Sequence, residues 1–257
     1  MDSPPAPARN SAPGTRPEGV QDEREAAARV REMFGRIAPR YDFLNHLLSL
    51  SFDRRWRRRT ALRFRHILTR PDARVLDLCC GTGDLALALG REAGKSGAQI
   101  FGADFVHEML VRAQHKSEAQ ASTLYLEADA LTLPFADASF DLVTAAFGFR
   151  NLANYCRGLE EIGRVLRPSG EVGILEFSKP PRSFFGALYR VYFTQILPRV
   201  GGAVSGSADA YAYLPSSVSR FPLGDDLAGL MRDVGFADVS FETWTGGIVT
   251  LHTARKA

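Results

Sequence analysis

What the chain lacks narrows its function before any motif is read. Three cysteines among 257 residues, Cys79, Cys80 and Cys156, form no C-x-x-C pair and leave an odd count. Neither a disulfide framework nor a cysteine zinc site is expected, and a reducing, cytoplasmic compartment fits. The histidines show no ligand spacing, so no metal is expected. No apolar run approaches membrane-spanning length, and the first 20 residues, rich in Pro, Ala and Gly, lack the unbroken apolar core of an export signal. A formal charge of +3 with a pI near 8.9 is too weak to imply nucleic acid. No internal repeat is evident. The remainder, 45% apolar and 24% charged, suits one globular domain with a sizeable core.

What is present is organised around residues 75–85, V-L-D-L-C-C-G-T-G-D-L. An apolar run carrying Asp77 leads to Gly81 and Gly83 around Thr82, and an Ala/Leu-rich helical pattern follows. Glycine there permits positive φ and lets a ligand lie close to the backbone. Two glycines alone mark an ordinary strand-to-helix turn, but Asp77 just before them points to a loop for a nucleotide-like cofactor.

Around this loop the chain reads as follows. Residues 1–21 are expected to be a disordered tail, and helical patterns follow from Asp22 to Pro39 and from Tyr41 to Leu50. Ser51 or Asp53 can cap a third helix, in which Arg54, Arg55, Arg57, Arg58 and Arg59 surround Trp56. That helix is either a solvated basic face over a buried tryptophan or an anchor on an anionic membrane. Strands are expected at 98–103, 123–127, 140–146, 171–177, 239–243 and 248–253. Helices are expected at 106–116, at 155–166 (capped by Asn154 and stopped by R-P-S-G), and at 225–234. Alternation of this kind predicts an α/β fold with a parallel sheet, helices on both faces and ligands at the carboxyl ends of the strands. Residues 179–222, proline-rich and aromatic, break the rhythm and read as a cap over the ligand face, suited to an apolar substrate.

The cofactor is not decided by the loop alone. Gly81, Gly83 and Ala86 satisfy the relaxed dinucleotide pattern, and Asp104, about 20 residues on, suits the ribose of NAD or of S-adenosylmethionine. Asp77 can meet the ammonium of a methionine moiety but sits awkwardly near a pyrophosphate. Asp129, at the next strand end, can accept from an adenine amino group, with Phe105 against the ring.

Taken together, V-L-D-L-x-x-G-T-G-D, Asp104, Asp129-Ala130, L-P-F-x-D-x-S-F-D and R-V-L-R-P-S-G resemble a class I S-adenosylmethionine-dependent methyltransferase. Y-D-F-L-N from Tyr41, F-G-F-R-N to Asn151, L-E-F-S-K-P from Leu175, Y-A-Y-L from Tyr211 and the ending V-T-L-H at His252 are similar to one branch of that class. That branch is the demethylmenaquinone and polyprenyl-benzoquinol C-methyltransferases. The match runs from about residue 27 to the end. It implies a Rossmann-like, mostly parallel seven-stranded sheet, S-adenosyl-L-methionine as cofactor and a prenylated quinol as substrate. Cofactor contacts then fall on Asp77, Gly81, Thr82, Gly83, Asp104, Asp129, Ala130 and Ala146. The chain departs from the family at Leu44, Asp53, Arg167 and Ser169, and at Ala146, where many members carry serine.

The chemistry sets its own demands. A quinol carbon becomes nucleophilic when the adjacent hydroxyl, with a pKa near 10, loses its proton, so the site must stabilise an oxyanion or supply a base. Arg150 and Asn151, just past a strand end, are placed for this: the guanidinium as electrostatic stabiliser, the amide as donor to a quinol oxygen. A salt bridge from the Arg150 loop to the cap is the competing role. Tyr41, Tyr213 and His252 are further substrate-binding candidates, or else buried core groups. The expected partner is the quinol, with transient contact at the inner face of the cytoplasmic membrane; a homodimer is left open. Two other functions compete: an NAD(P)-dependent oxidoreductase on the same loop, and a non-catalytic cofactor-binding subunit of a quinone-synthesis complex.

Overall fold

The computed structural model describes residues 14–17, 19–20, 22–118, 123–178, 195, 208–222 and 224–257. Its frame is a seven-stranded sheet in the order β3-β2-β1-β4-β5-β7-β6. The strands are β1 (Arg74–Leu78), β2 (Gln99–Asp104), β3 (Thr123–Glu127), β4 (Phe140–Ala146), β5 (Leu166–Phe177), β6 (Phe236–Trp244) and β7 (Val249–Lys256). The first five pair in parallel; β7 runs antiparallel to β5 and β6. Side chains alternate across a strand, so β1 feeds two cores. Val75 joins Phe64, Leu68, Leu85 and Leu89 on one face, while Leu76 and Leu78 join Phe149, Tyr155, Leu159 and Met231 on the other. Burial on both faces is why these central strands are apolar throughout.

The preface is helical. Helix α1 (Glu23–Ile37) starts where Asp22 accepts from the amides of Arg24 and Glu25, and a 3-10 turn at Ala38–Arg40 carries Pro39. Helices α2 (Tyr41–Leu48), α3 (Phe52–Arg63) and the short α4 (Arg65–Leu68) follow. Beyond β1 come α5 (Asp84–Ala93), α6 (His107–Ser117), α7 (Tyr155–Val165), α8 (Ala208–Arg220) and α9 (Asp225–Asp233). Asn154 caps α7 by accepting from the Arg157 amide, as its sequence position predicts.

The structure departs from the sequence reading in three places. Residues 14–17 are packed: the Thr15 amide donates to the Leu152 carbonyl at 2.7 Å, and Arg16 donates to Ala153 O at 2.6 Å. The chain therefore lies on the domain before Asp22, held by main-chain bonds that composition does not reveal. Neither capping candidate of α3 caps it: Ser51 takes a left-handed conformation with no side-chain bond, and Asp53 turns inward. Trp56, by contrast, takes the buried alternative: it is 5% exposed, packed with Phe147, Trp244 and Val249 and so removed from any interface with lipid. R-P-S-G does not separate α7 from its strand. Leu166 already pairs with Phe140, and a register shift follows, with Ser169 at φ 63°. Arg167 there reaches Asp141 at 2.7 Å, so the excursion is a bulge fixed by an ion pair.

Most of the expected cap, 179–194 and 196–207, lies outside the described residues. Its last part is α8, whose Val218 packs on Met33 and Ile37 of α1. No helix is long and apolar enough to cross a membrane among the described residues.

Candidate functional site

The carboxyl ends of β1, β2 and β4 open into a cleft enclosing about 920 Å³, including space open to solvent. That is within the roughly 300–1,000 Å³ of small-molecule sites. Its floor is the glycine loop. Gly81 and Gly83 have φ of +53° and +81°, and a Cβ on Gly83 would stand 2.6 Å from the Tyr125 hydroxyl, so glycine is needed there for conformation and for space.

Two buried carboxyls frame the loop. Asp104 accepts from the amides of Gly81 and Val106 at 2.8 and 2.9 Å. Burial pushes its pKa up to about 6 against the pull of those amides. The Gly81 amide, which a pyrophosphate would need, is thus already taken by a carboxylate. Asp77 is fully buried; Thr144 Oγ1 donates to one oxygen at 3.1 Å, and the other, Oδ2, has no partner. Burial pushes Asp77 up to about 7. A buried, half-satisfied carboxyl facing a cleft is suited to a cation with several N–H donors.

Beside Asp77 lies a network the sequence reading did not assemble. Arg57, buried on α3 and lining the cleft, donates to Asp53 and stands 3.9 Å from Asp84 Oδ2. Lys116 bridges Asp42 and Asp84 at 2.9 and 2.6 Å and reaches Thr82 Oγ1 at 3.1 Å; Thr82 in turn donates to Asp42. His46, Asp53 and Asp84 bring ligand atoms within 4.8 Å of one another. The Arg57 guanidinium supplies the positive charge among them, so the cluster reads as an ion-pair network. The signal available in the sequence was the i,i+4 spacing of Asp53 and Arg57.

Arg150 occupies a 3-10 turn, Phe149–Asn151, at the end of β4. Its side chain is buried against Glu176 of β5, Nη1 lying 3.0 Å from Oε2, and the Arg150 amide donates to the same carboxylate. The salt bridge is therefore to the sheet, where the sequence reading had the cap. Burial disfavours the Arg150 cation, yet Glu176, Tyr41 and Tyr213 hold its pKa above the ordinary guanidinium value. Tyr41 and Tyr213 are raised by burial, and the Arg150 charge acts against that rise in both. Tyr213 donates to Asn151 Oδ1 at 3.0 Å and shares a 2.8 Å bond with Thr15 Oγ1.

Of the sequence-derived candidates, Asp77, Gly81, Thr82, Asp104, Asp129, Ala130, Ala146, Asn151 and Tyr41 line the cleft. Gly83 supports the loop from behind. Arg150 and Tyr213 do not line it but contact its wall through Asn151 and through their fields. His252 is not brought there: it is 1% exposed on β7, its Nε2 bonded to Gly224 O at 3.0 Å and its ring against Phe241. Burial pulls its pKa down, as befits a neutral core histidine.

Comparison with known proteins follows the same pattern. The chain is 50% identical over 225 residues, 87% of its own length and all of the relative's, to a demethylmenaquinone methyltransferase of Thermus thermophilus. It is 50% identical over 238 residues, 92% of its length and 96% of the relative's, to a protein of the same name from Deinococcus radiodurans. Among solved structures, a SAM-dependent methyltransferase of Aquifex aeolicus superposes with a TM-score of 0.57 at 18% identity, covering 78% of this chain and 89% of that one, a likeness of fold. The profile of the ubiE/COQ5 methyltransferase family matches residues 20–256, from just before α1 through the last strand, and with that extent of agreement the chain belongs to the ubiE/COQ5 methyltransferase family.

Proposed function

We propose that this chain transfers a methyl group from S-adenosylmethionine to a ring carbon of a prenylated quinol, demethylmenaquinol foremost, in quinone biosynthesis. The observation that carries the reading is the cleft itself: Asp77, a buried carboxyl with an unpartnered oxygen, stands at the glycine loop, and Asn151, held by Tyr213, lines the wall next to the buried Arg150–Glu176 pair. A quinol oxygen at Asn151 feels the positive field of Arg150, which opposes the rise that burial imposes on Tyr41 and Tyr213 and favours a phenolate in the same sense.

The residues present fit the cofactor. The unpartnered Asp77 Oδ2 suits its ammonium, Asp104 its ribose hydroxyls, and Asp129 with Ala130 its adenine edge. Gly81 and Thr82 line the turn between them, Gly83 keeps it open, and Ala146 leaves room at the end of β4. Arg57, which lines the cleft with Asp77, holds the carboxylate of the same amino-acid moiety. Bound there, S-adenosylmethionine would supply an electrophilic methyl on a sulfonium, the displaced ring proton leaving to water and S-adenosylhomocysteine remaining. Asn151, fixed by Tyr213, orients a quinol oxygen, and Arg150 stabilises the charge that develops on it. The tail of such a substrate brings the protein to the inner membrane surface. An oxidoreductase on the same loop is disfavoured by the Gly81–Asp104 bond.

Incubating the purified chain with labelled cofactor and both a naphthoquinol and a benzoquinol, then weighing the products, tests the reading. One added methyl on the naphthoquinol ring is expected; no methylated product from either overturns it. Turnover by the chain alone also sets aside a non-catalytic subunit.

Asp77 adds a pH dependence. Its raised pKa means the folded state holds the proton more tightly than the unfolded one. Its contribution to stability therefore falls as pH rises from the ordinary 3.8 toward 7. An ammonium ligand requires the carboxylate and expels that proton. Affinity for S-adenosylhomocysteine should climb by about 25-fold between pH ~5.5 and ~7.5, with proton release detectable by calorimetry in buffers of different ionisation enthalpy. A flat profile with no proton release removes Asp77 from the ammonium site.

A further inference from the structure

The outer side of α2 and α3 is unlike the rest of the surface. Phe43 is 61% exposed, Leu50 73% and Phe52 37%. They lie on α2, on the α2–α3 turn and at the first position of α3. The turn is firmly built: Ser49 N bonds Asn45 O, Ser51 N bonds His46 O and Phe52 N bonds Ser49 O, at 2.9, 2.7 and 3.0 Å. Leu50 and Ser51 both hold positive φ, 51° and 60°, a conformation unfavourable for a leucine. The structure thus spends backbone strain on a turn that presents an apolar side chain to the outside.

Charge surrounds these residues with one sign. Arg54, Arg55 and Arg58 are exposed and make no ion pair among the described residues, while Arg55 stacks over the Phe52 ring at 5.4 Å. Between Phe43 and Arg70 the only acidic residue is Asp53, and it is buried against Arg57. The same helix that carries Phe43 begins with Tyr41, which lines the cleft. An apolar tip ringed by unpaired arginines, one helix away from the cleft, fits a surface that is anionic at its headgroups and apolar just beneath. A nucleic acid would match the arginines but leave Leu50 and Phe43 without a partner.

We propose that the α2–α3 turn docks on an anionic phospholipid surface, with Phe43, Leu50 and Phe52 entering the headgroup layer and Arg54, Arg55 and Arg58 bound to phosphates. The docking orients the cleft toward the layer in which a prenylated substrate resides; in this it rests on the proposed function, but the surface is tested without any substrate.

The experiment is flotation of the full chain with phosphatidylcholine vesicles, with and without about one quarter phosphatidylglycerol. The wild type should float with the anionic vesicles and stay behind with the neutral ones. The triple variant Arg54→Gln/Arg55→Gln/Arg58→Gln should lose on the order of 100-fold in partitioning, from about fivefold per arginine. Phe43→Ser/Leu50→Ser should also lose binding, whereas Leu124→Ser, which alters an exposed apolar residue on β3, should not. Melting curves check that each variant folds, and all should methylate a short-tailed, water-soluble quinol as the wild type does. Failure of the wild type to float, or flotation of both docking variants like the wild type, overturns the proposal. So does binding of the arginine face to duplex RNA with none to vesicles. If flotation behaves as expected but no soluble quinol is methylated, the docking surface stands and the proposed reaction falls.

Discussion

Replacing Arg150 by alanine should lower turnover by about 100- to 1,000-fold while leaving the affinity for S-adenosylhomocysteine within about threefold, the loss expected when a preorganised positive group at a developing oxyanion is removed. The two readouts separate because Arg150 does not line the cofactor cleft, whereas its charge acts on Tyr41 and Tyr213. The single variant is also expected to be unstable. It leaves Glu176, 1% exposed, without its cation, and breaking a buried pair from one side costs about 3–5 kcal/mol. A companion variant, Arg150→Ala/Glu176→Gln, removes both charges and keeps an acceptor for the backbone amide at 150. Its melting temperature should recover most of the loss while turnover stays low. Arg150→Lys, which keeps a charge without the planar fork, should fall between the two in rate. If the double variant regains wild-type turnover, Arg150 is a structural ion pair and nothing more.

Arg57→Met should weaken S-adenosylhomocysteine by about 10- to 100-fold, the range of a charge-assisted hydrogen bond to a carboxylate. Binding of 5′-methylthioadenosine, which keeps the adenosine and lacks the amino acid, should change by less than about threefold. Asp77 and Arg57 both line the cleft, and the ammonium and carboxylate of one amino acid sit on a single carbon, so opposite charges are required side by side. Burial opposes ionisation of Asp53, but Arg57, Ser49 and His46 together hold its carboxyl below the usual value. That contribution to stability is present above the unfolded carboxyl's pKa and is lost as pH falls through the folded one. Arg57→Met reduces it, so melting curves belong beside the binding data. Equal weakening of both ligands would assign Arg57 to the fold instead of the carboxylate.

The parts of this molecule legible in the sequence are those where local pattern and tertiary demand coincide. The β1 run, the two loop glycines and Asp104 at the end of β2 follow from strand and turn chemistry within about 30 residues of one another. The cap at Asn154 was equally plain. Arg57 was hidden because five arginines around one tryptophan look like a solvated face, and only the fold shows that one of them lines the cleft while Trp56 beside it enters the core. Ser51 failed as a cap because the α2–α3 turn demanded a left-handed residue there. His252 was misplaced since a strand-terminal motif reveals neither the face of the sheet it occupies nor that Gly224 waits beneath it. Tyr213 and Asn151 were each candidates, but their direct bond joins segments 62 residues apart, a pairing no periodicity encodes.

The Thr15–Tyr213 bond carries a consequence for biogenesis. It joins residues 198 apart, so the segment around Thr15 finds its partner only after 198 further residues have been made. At ordinary elongation rates that interval is roughly 10–40 s. During it the glycine loop, α5 and the central strands can assemble, since their contacts are closer in sequence, but the wall formed by Asn151, Tyr213 and the N-terminal segment cannot. Ribosome-bound chains ending before Tyr213 should therefore hold the glycine loop between β1 and α5 while the wall that Tyr213 completes is still open.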